Sequence, residues 1–128
     1  MLENDSAPSP EVLAKQLKVL ADPKRLRILN LLMTGVQCNC DLGEALGMSK
    51  NLISHHLRIL RDAGLVQAER DALDARWMYY SVNKDVIQEL VTVFDSFFDL
   101  NRIQPRHPQC GPQRMKGRPT TKLVLKSL

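Results

Sequence analysis

Apolar positions recur with helical spacing in five stretches of this chain. In PEVLAKQLKVLAD, Val12, Leu13, Leu17 and Leu20 fall on one face. Asp22 and Pro23 then restart the chain, as an N-cap followed by proline at the first helical position. PKRLRILNLLM repeats Leu26, Leu29 and Met33 on one stripe, widened by Ile28, Leu31 and Leu32. It is predicted to be the central buried helix, ended by Gly35. A short third helix runs to about Leu46 and buries Leu42, Ala45 and Leu46. Asp41 with Glu44 fits its N-cap and capping box, and a start near Asn39 is the alternative. GMSKN supplies a turn and a new N-cap, Ser49. The fourth helix, KNLISHHLRILRDAG, buries Ile53, Leu57 and Leu60, and Gly64 terminates it.

LVQAER and RWMYYSV are β-prone and flank DALDA, which predicts a hairpin following a helix-turn-helix. A fifth helix, NKDVIQELVTVFDSFFDL, carries Val86, Leu90, Val93, Phe94, Phe97 and Phe98. That apolar stripe is broader than one small domain covers, and it predicts a dimer interface. The fold expected is mainly α: a winged helix-turn-helix of about five helices plus a two-stranded β-hairpin wing, assembled as a homodimer. Residues 1–9 are expected to be disordered, residues 10–100 to form the winged-helix domain, and residues 101–128 to be a basic Pro/Gly-rich tail carrying Cys110.

Composition narrows the function classes. The 128 residues suit one domain with a modest core, and no apolar run approaches a membrane span. The polar, acidic N-terminus MLENDSAPSP has no secretory character, so a cytoplasmic protein without a membrane partner is expected. Residues 101–128 hold seven basic side chains and no acid. Residues 1–100 therefore hold 11 basic and 14 acidic residues, a net of −3, so the overall charge of +4 belongs to the tail. Nucleic-acid binding has to be judged from local placement. With Ile53, Leu57 and Leu60 inward, the fourth helix shows Lys50, Asn51, Ser54, His55, Arg58 and Arg61 on its other side. Such a basic, donor-rich face suits a major groove. His55 and His56 diverge by about 100° on a helix and cannot easily share one ligand. His56 is expected to pack at the core edge or touch phosphate. Arg70 and Arg76 bracket the hairpin, within reach of DNA backbone or minor groove, whereas Asp71 and Asp74 at its tip would repel phosphate. No nucleophile motif, phosphate loop or catalytic carboxylate pair stands out, so an enzyme is not expected.

The segments LADPKRLRILNLL, VQCNCDLGEALGMSKNLISHHLRILRDAGLV and YYSV resemble the ArsR/SmtB family of metal-responsive transcriptional repressors, over roughly residues 12–100. The resemblance implies a homodimer built on the first and last helices, which binds operator DNA and releases it when inducer binds. By motif position it implies a DNA-facing set of Ser49, Lys50, Asn51, Ser54, His55 and His56, to which Arg58 and Arg76 are added.

Cys38 and Cys40 stand one residue apart in VQCNCDL. At that spacing, side chains diverge by about 200° on a helix but align on an extended segment, so both can hold one ion only where the helix is not regular. A helix N-terminus is expected to lower the thiol pKa. Within the family, CxCDL at this helix resembles the arsenic, antimony, cadmium and lead sensors. Gly43 stands where arsenic sensors of this type carry a third cysteine, and residues 1–37 contain none. Cys110 is the remaining thiol, and ten residues beyond Leu100 extend up to roughly 35 Å. The expected site is Cys38, Cys40 and Cys110, within or across subunits, with arsenite or antimonite as inducer and cadmium or lead as alternatives. His107 and Asp99 could complete a mixed zinc or cadmium site. The family's zinc and nickel site on the last helix needs histidines, and residues 84–100 contain none. No cofactor is required. A thiol-redox or persulfide-responsive repressor using Cys40 and Cys110 is the competing reading, and a dimeric module that has lost DNA binding is another.

Overall fold

The computed structural model describes residues 9–105 and 109–112. Helix α1 spans Pro10–Leu20, capped by Ser9, whose hydroxyl accepts the Val12 N–H at 3.1 Å. Helix α2 spans Pro23–Met33, and Asp22 Oδ1 accepts the N–H of Lys24 at 2.7 Å. The Asp-Pro signal thus acts as the sequence predicts. Strand β1 (Gln37–Cys38) leads into α3 (Asn39–Leu46). Gly47 closes α3 at φ 64°, a left-handed conformation that costs an L side chain about 1–2 kcal/mol. Helix α4 spans Lys50–Asp62, and the hydroxyl of Ser49 caps it by accepting the Leu52 N–H at 3.2 Å. Gly64, at φ 80°, turns the chain into the wing. Strands β2 (Val66–Arg70) and β3 (Met78–Val82) precede α5 (Lys84–Phe97).

The core is one cluster in which Ile28 and Leu32 of α2, Leu42 of α3, and Ile53, Leu57 and Leu60 of α4 are almost wholly enclosed. Val86, Ile87 and Leu90 of α5 pack against it from one side. The sheet is antiparallel with strand order β1–β3–β2. Val66 faces Val82 and Arg70 faces Met78 in the hairpin, and Cys38 of β1 faces Tyr79.

Several expectations are corrected. The wing has a third strand, because β1 pairs with the outer edge of β3. On α2, the face carrying Ile28, Leu29 and Leu32 turns inward, and Leu26 and Met33 are exposed. Of the two starts expected for α3, the structure has the one at Asn39, with Cys38 at the N-cap, so Asp41 lies in the first turn and is not the cap. Ala45 is exposed. Helix α5 ends at Phe97 rather than Leu100. The chain divides there into two compact units, and the second contains, among the described residues, a 3-10 turn at Leu100–Arg102 capped by Asp99. Among the described residues, no helix is long and apolar enough to cross a membrane.

Candidate DNA interface and thiol site

Helices α3 and α4 pack through Leu42, Ile53 and Leu57, and the Gly47 turn sets the angle between them. That packing fixes which side of α4 meets solvent. Lys50, Asn51, Ser54, His55, Arg58 and Arg61 are all exposed. The helix carries no acidic residue before Asp62, so this face is basic along its length and begins at the positive end of the helix dipole. The Ser49 hydroxyl accepts within the cap, which leaves its O–H free to donate outward.

His56 departs from the expected DNA-facing set. It is 5% exposed, and Nδ1 lies 3.3 Å from Nη1 of Arg25. Burial lowers its pKa below the ordinary histidine value, with Arg25, Lys24 and His55 acting in the same direction and Asp22 opposing. The helical period explains the position: His56 shares the inward side with Ile53, Leu57 and Leu60, while His55 points out.

In the wing, Arg76 is exposed but bidentate on Asp74, with Nη2–Oδ2 at 2.8 Å and Nε–Oδ1 at 3.0 Å. That pairing holds the Asp74 carboxyl below its usual range. Arg70 donates to the Ala75 carbonyl at 2.7 Å and closes the turn. Asp71 Oδ2 accepts the N–H groups of Leu73 and Asp74. The two aspartates that would repel phosphate therefore build the turn itself.

The two thiols differ. Cys38 is buried on β1 and Cys40 is exposed in the first turn of α3. Burial raises the Cys38 thiol above its ordinary value, contrary to the expected lowering at a helix N-terminus. The adjacent Asp41 carboxylate adds to the rise, and the backbone N–H groups of Asp41 and Cys40 act against it. Cys110 is exposed and belongs to the second unit. Among the described residues, no three His, Cys, Asp or Glu side chains are grouped to hold a metal ion. His107 lies outside the described residues.

Two features escaped the sequence. Arg25 contacts three elements, which only its place three residues after the Asp22 cap could have hinted at. Strand β1 gives no alternation, being two residues long.

Comparison with known proteins agrees with this arrangement. The profile of the family described as "Bacterial regulatory protein, arsR family" matches residues 22–68. The arsenical resistance operon repressor of Staphylococcus aureus is 33% identical over 101 residues, covering 79% of this chain and 88% of that protein. The HTH-type transcriptional regulator NmtR of Mycobacterium tuberculosis is 34% identical over 107 residues, covering 84% and 88%. A crystal structure of a "Possible transcriptional regulator for arsenical resistance" superposes with a TM-score of 0.58 at 38% identity, covering 68% of this chain and 90% of that one.

Proposed function

Because this chain belongs to the arsR family of bacterial regulatory proteins, DNA-binding transcriptional repressors rather than enzymes, we propose that it is a cytoplasmic, dimeric repressor whose inducer is trivalent arsenic or antimony held by cysteine. The observation that carries this reading is the placement of Cys38 and Cys40 astride the N-terminus of α3, the helix packed directly beneath α4. Lys50, Asn51, Ser54, His55 and Arg58 of α4 meet the operator, assisted by Ser49. Arg76 joins them where phosphate replaces Asp74 as its partner.

Exposed apolar surface supports dimerisation. Val12 and Leu17 of α1 and Val91 of α5 are 41–50% exposed, and α5 buries none of its residues within one chain. A groove of about 450 Å³ lies among α1, α4 and α5, lined by Leu20, Ile59, Leu65, Val86 and Leu90.

Cys38, Cys40 and Cys110 displace the three hydroxides of arsenous acid. Each thiol proton leaves with a hydroxide as water, and no electrons change hands. Soft thiolates suit this ion. Cys38 has to leave its buried position on β1, which loosens the first turn of α3 and, through Leu42, the seat of α4. Residue-resolved alkylation with and without arsenite tests this. Protection of all three cysteines supports it, and protection of none contradicts it.

A second reading is favoured by one observation: Cys40 and Cys110 are exposed, whereas Cys38 is buried. An oxidant would join Cys40 to Cys110, taking two electrons and two protons. A persulfide donor would do so by leaving as thiol and hydrogen sulfide. In that case Cys38 stays free and arsenite protects nothing.

A further inference from the structure

Arg25, in the first turn of α2, has only 13% of its side chain exposed. Its guanidinium serves three elements. Nε donates to the Val19 carbonyl at 2.6 Å and Nη2 to the Lys18 carbonyl at 3.3 Å, both in the last turn of α1. Carbonyls there have no partner within their own helix. Nη1 lies 3.6 Å from Oδ2 of Asp22, the cap of α2, and 3.3 Å from Nδ1 of His56 on the inward side of α4. A guanidinium has donors only, so Nδ1 accepts, the ring proton sits on Nε2 and the imidazole is neutral.

We infer that Arg25 is a positioning residue for DNA binding, holding α4 at a fixed angle to α1 through the neutral imidazole of His56. The inference rests on reading α4 as the helix that meets the operator. It goes beyond that reading because Arg25 and His56 lie on the protein side of α4 and act by fixing where its exposed face points.

The charged and titratable groups facing His56 are Asp22, Lys24 and Arg25 from the start of α2 and His55 from α4 itself. Asp22 alone favours the imidazolium. Once His56 is protonated, Nδ1 and Nη1 are both donors, and the contact cannot survive. Acid therefore releases α4 from α1. His55 is exposed on the DNA side of α4 and is left in place in the comparison below.

The test is fluorescence anisotropy on a duplex from the protein's own promoter, at fixed ionic strength, from about pH 8 to about pH 5.5, spanning the histidine range. Wild type is compared with His56→Asn, Arg25→Lys and Lys50→Ala, while circular dichroism and sedimentation follow fold and assembly. Asparagine offers Oδ1 near the place of Nδ1 and does not titrate, and His55 is common to both proteins. The ratio of wild-type Kd to His56→Asn Kd is expected to rise as pH falls through the histidine range. Arg25→Lys keeps the charge but loses the fork, and is expected to weaken operator binding about tenfold at neutral pH with helix content intact. If Arg25→Lys does not fold, the His56→Asn profile decides. A flat ratio, with Lys50→Ala weakening binding at every pH, overturns the positioning role alone. Lys50→Ala without effect overturns the reading of α4, and the positioning role with it.

Discussion

Cys38 and Cys40 stand one residue apart, yet they meet different solvents. Cys38 is enclosed where β1 crosses Tyr79, and Cys40 is exposed on the first turn of α3. A thiol reacts through its thiolate, and burial disfavours that form. Iodoacetamide at neutral pH should therefore label Cys40 at least about tenfold faster than Cys38, read by peptide mass spectrometry. Equal rates would contradict the buried placement. His56 gives a second residue-level expectation. Its folded pKa lies below the ordinary 6.5, so as pH falls the unfolded chain takes the proton first. The stabilisation is complete above 6.5 and is lost as pH falls through the folded value. Asp22, also depressed, loses its contribution only in stronger acid, below its ordinary 3.8. The urea midpoint should therefore fall in mildly acidic solution, and His56→Asn should flatten that fall. Identical slopes in the two proteins would count against a buried neutral His56. The caps Asp22 and Ser49 were legible in the sequence because capping is local. The partnership of Arg25 with His56 was not, because it joins residues 31 positions apart.

At the scale of elements, α3 carries the coupling, and its two anchors can be tested separately. Leu42 is fully enclosed between α2 and α4, and Leu42→Ala should cost about 2–5 kcal/mol of stability. Gly47→Ala meets no atom within 4 Å, so its cost should be conformational alone, about 1–2 kcal/mol. Chemical denaturation measures both, and a neutral Gly47→Ala would show that the turn relaxes without the left-handed residue. Helix α4 was legible because Ile53, Leu57 and Leu60 leave one inward side. Helix α2 was less so. Six apolar residues in eleven cover more than half its circumference, and packing rather than spacing selected Ile28, Leu29 and Leu32 over Leu26 and Met33. The wing hairpin followed from the β-prone segments LVQAER and RWMYYSV on either side of DALDA.

At the scale of the whole molecule, one chain leaves α1 and α5 apolar on the outside, and residues 1–100 are net acidic although the exposed side of α4 carries Lys50, Arg58 and Arg61. Val91→Glu on α5 places a charge in the proposed interface without touching the core. It should yield a folded monomer by sedimentation and abolish operator binding, because two α4 helices must be held at a fixed spacing. A Val91→Glu protein that remains dimeric would place the interface elsewhere. Cys38 and Cys40 belong to the first compact unit and Cys110 to the second, and the pattern of the chain identifies the three thiols only one by one.

The most direct test of the whole is release of operator DNA by arsenite. Reduced protein bound to its promoter duplex is titrated with arsenite while anisotropy is followed, for wild type, Cys38→Ser and Cys40→Ser. The expected result is release from wild type and none from either variant. Continued release from both variants, or release from wild type only by an oxidant, would contradict a metalloid site at the N-terminus of α3.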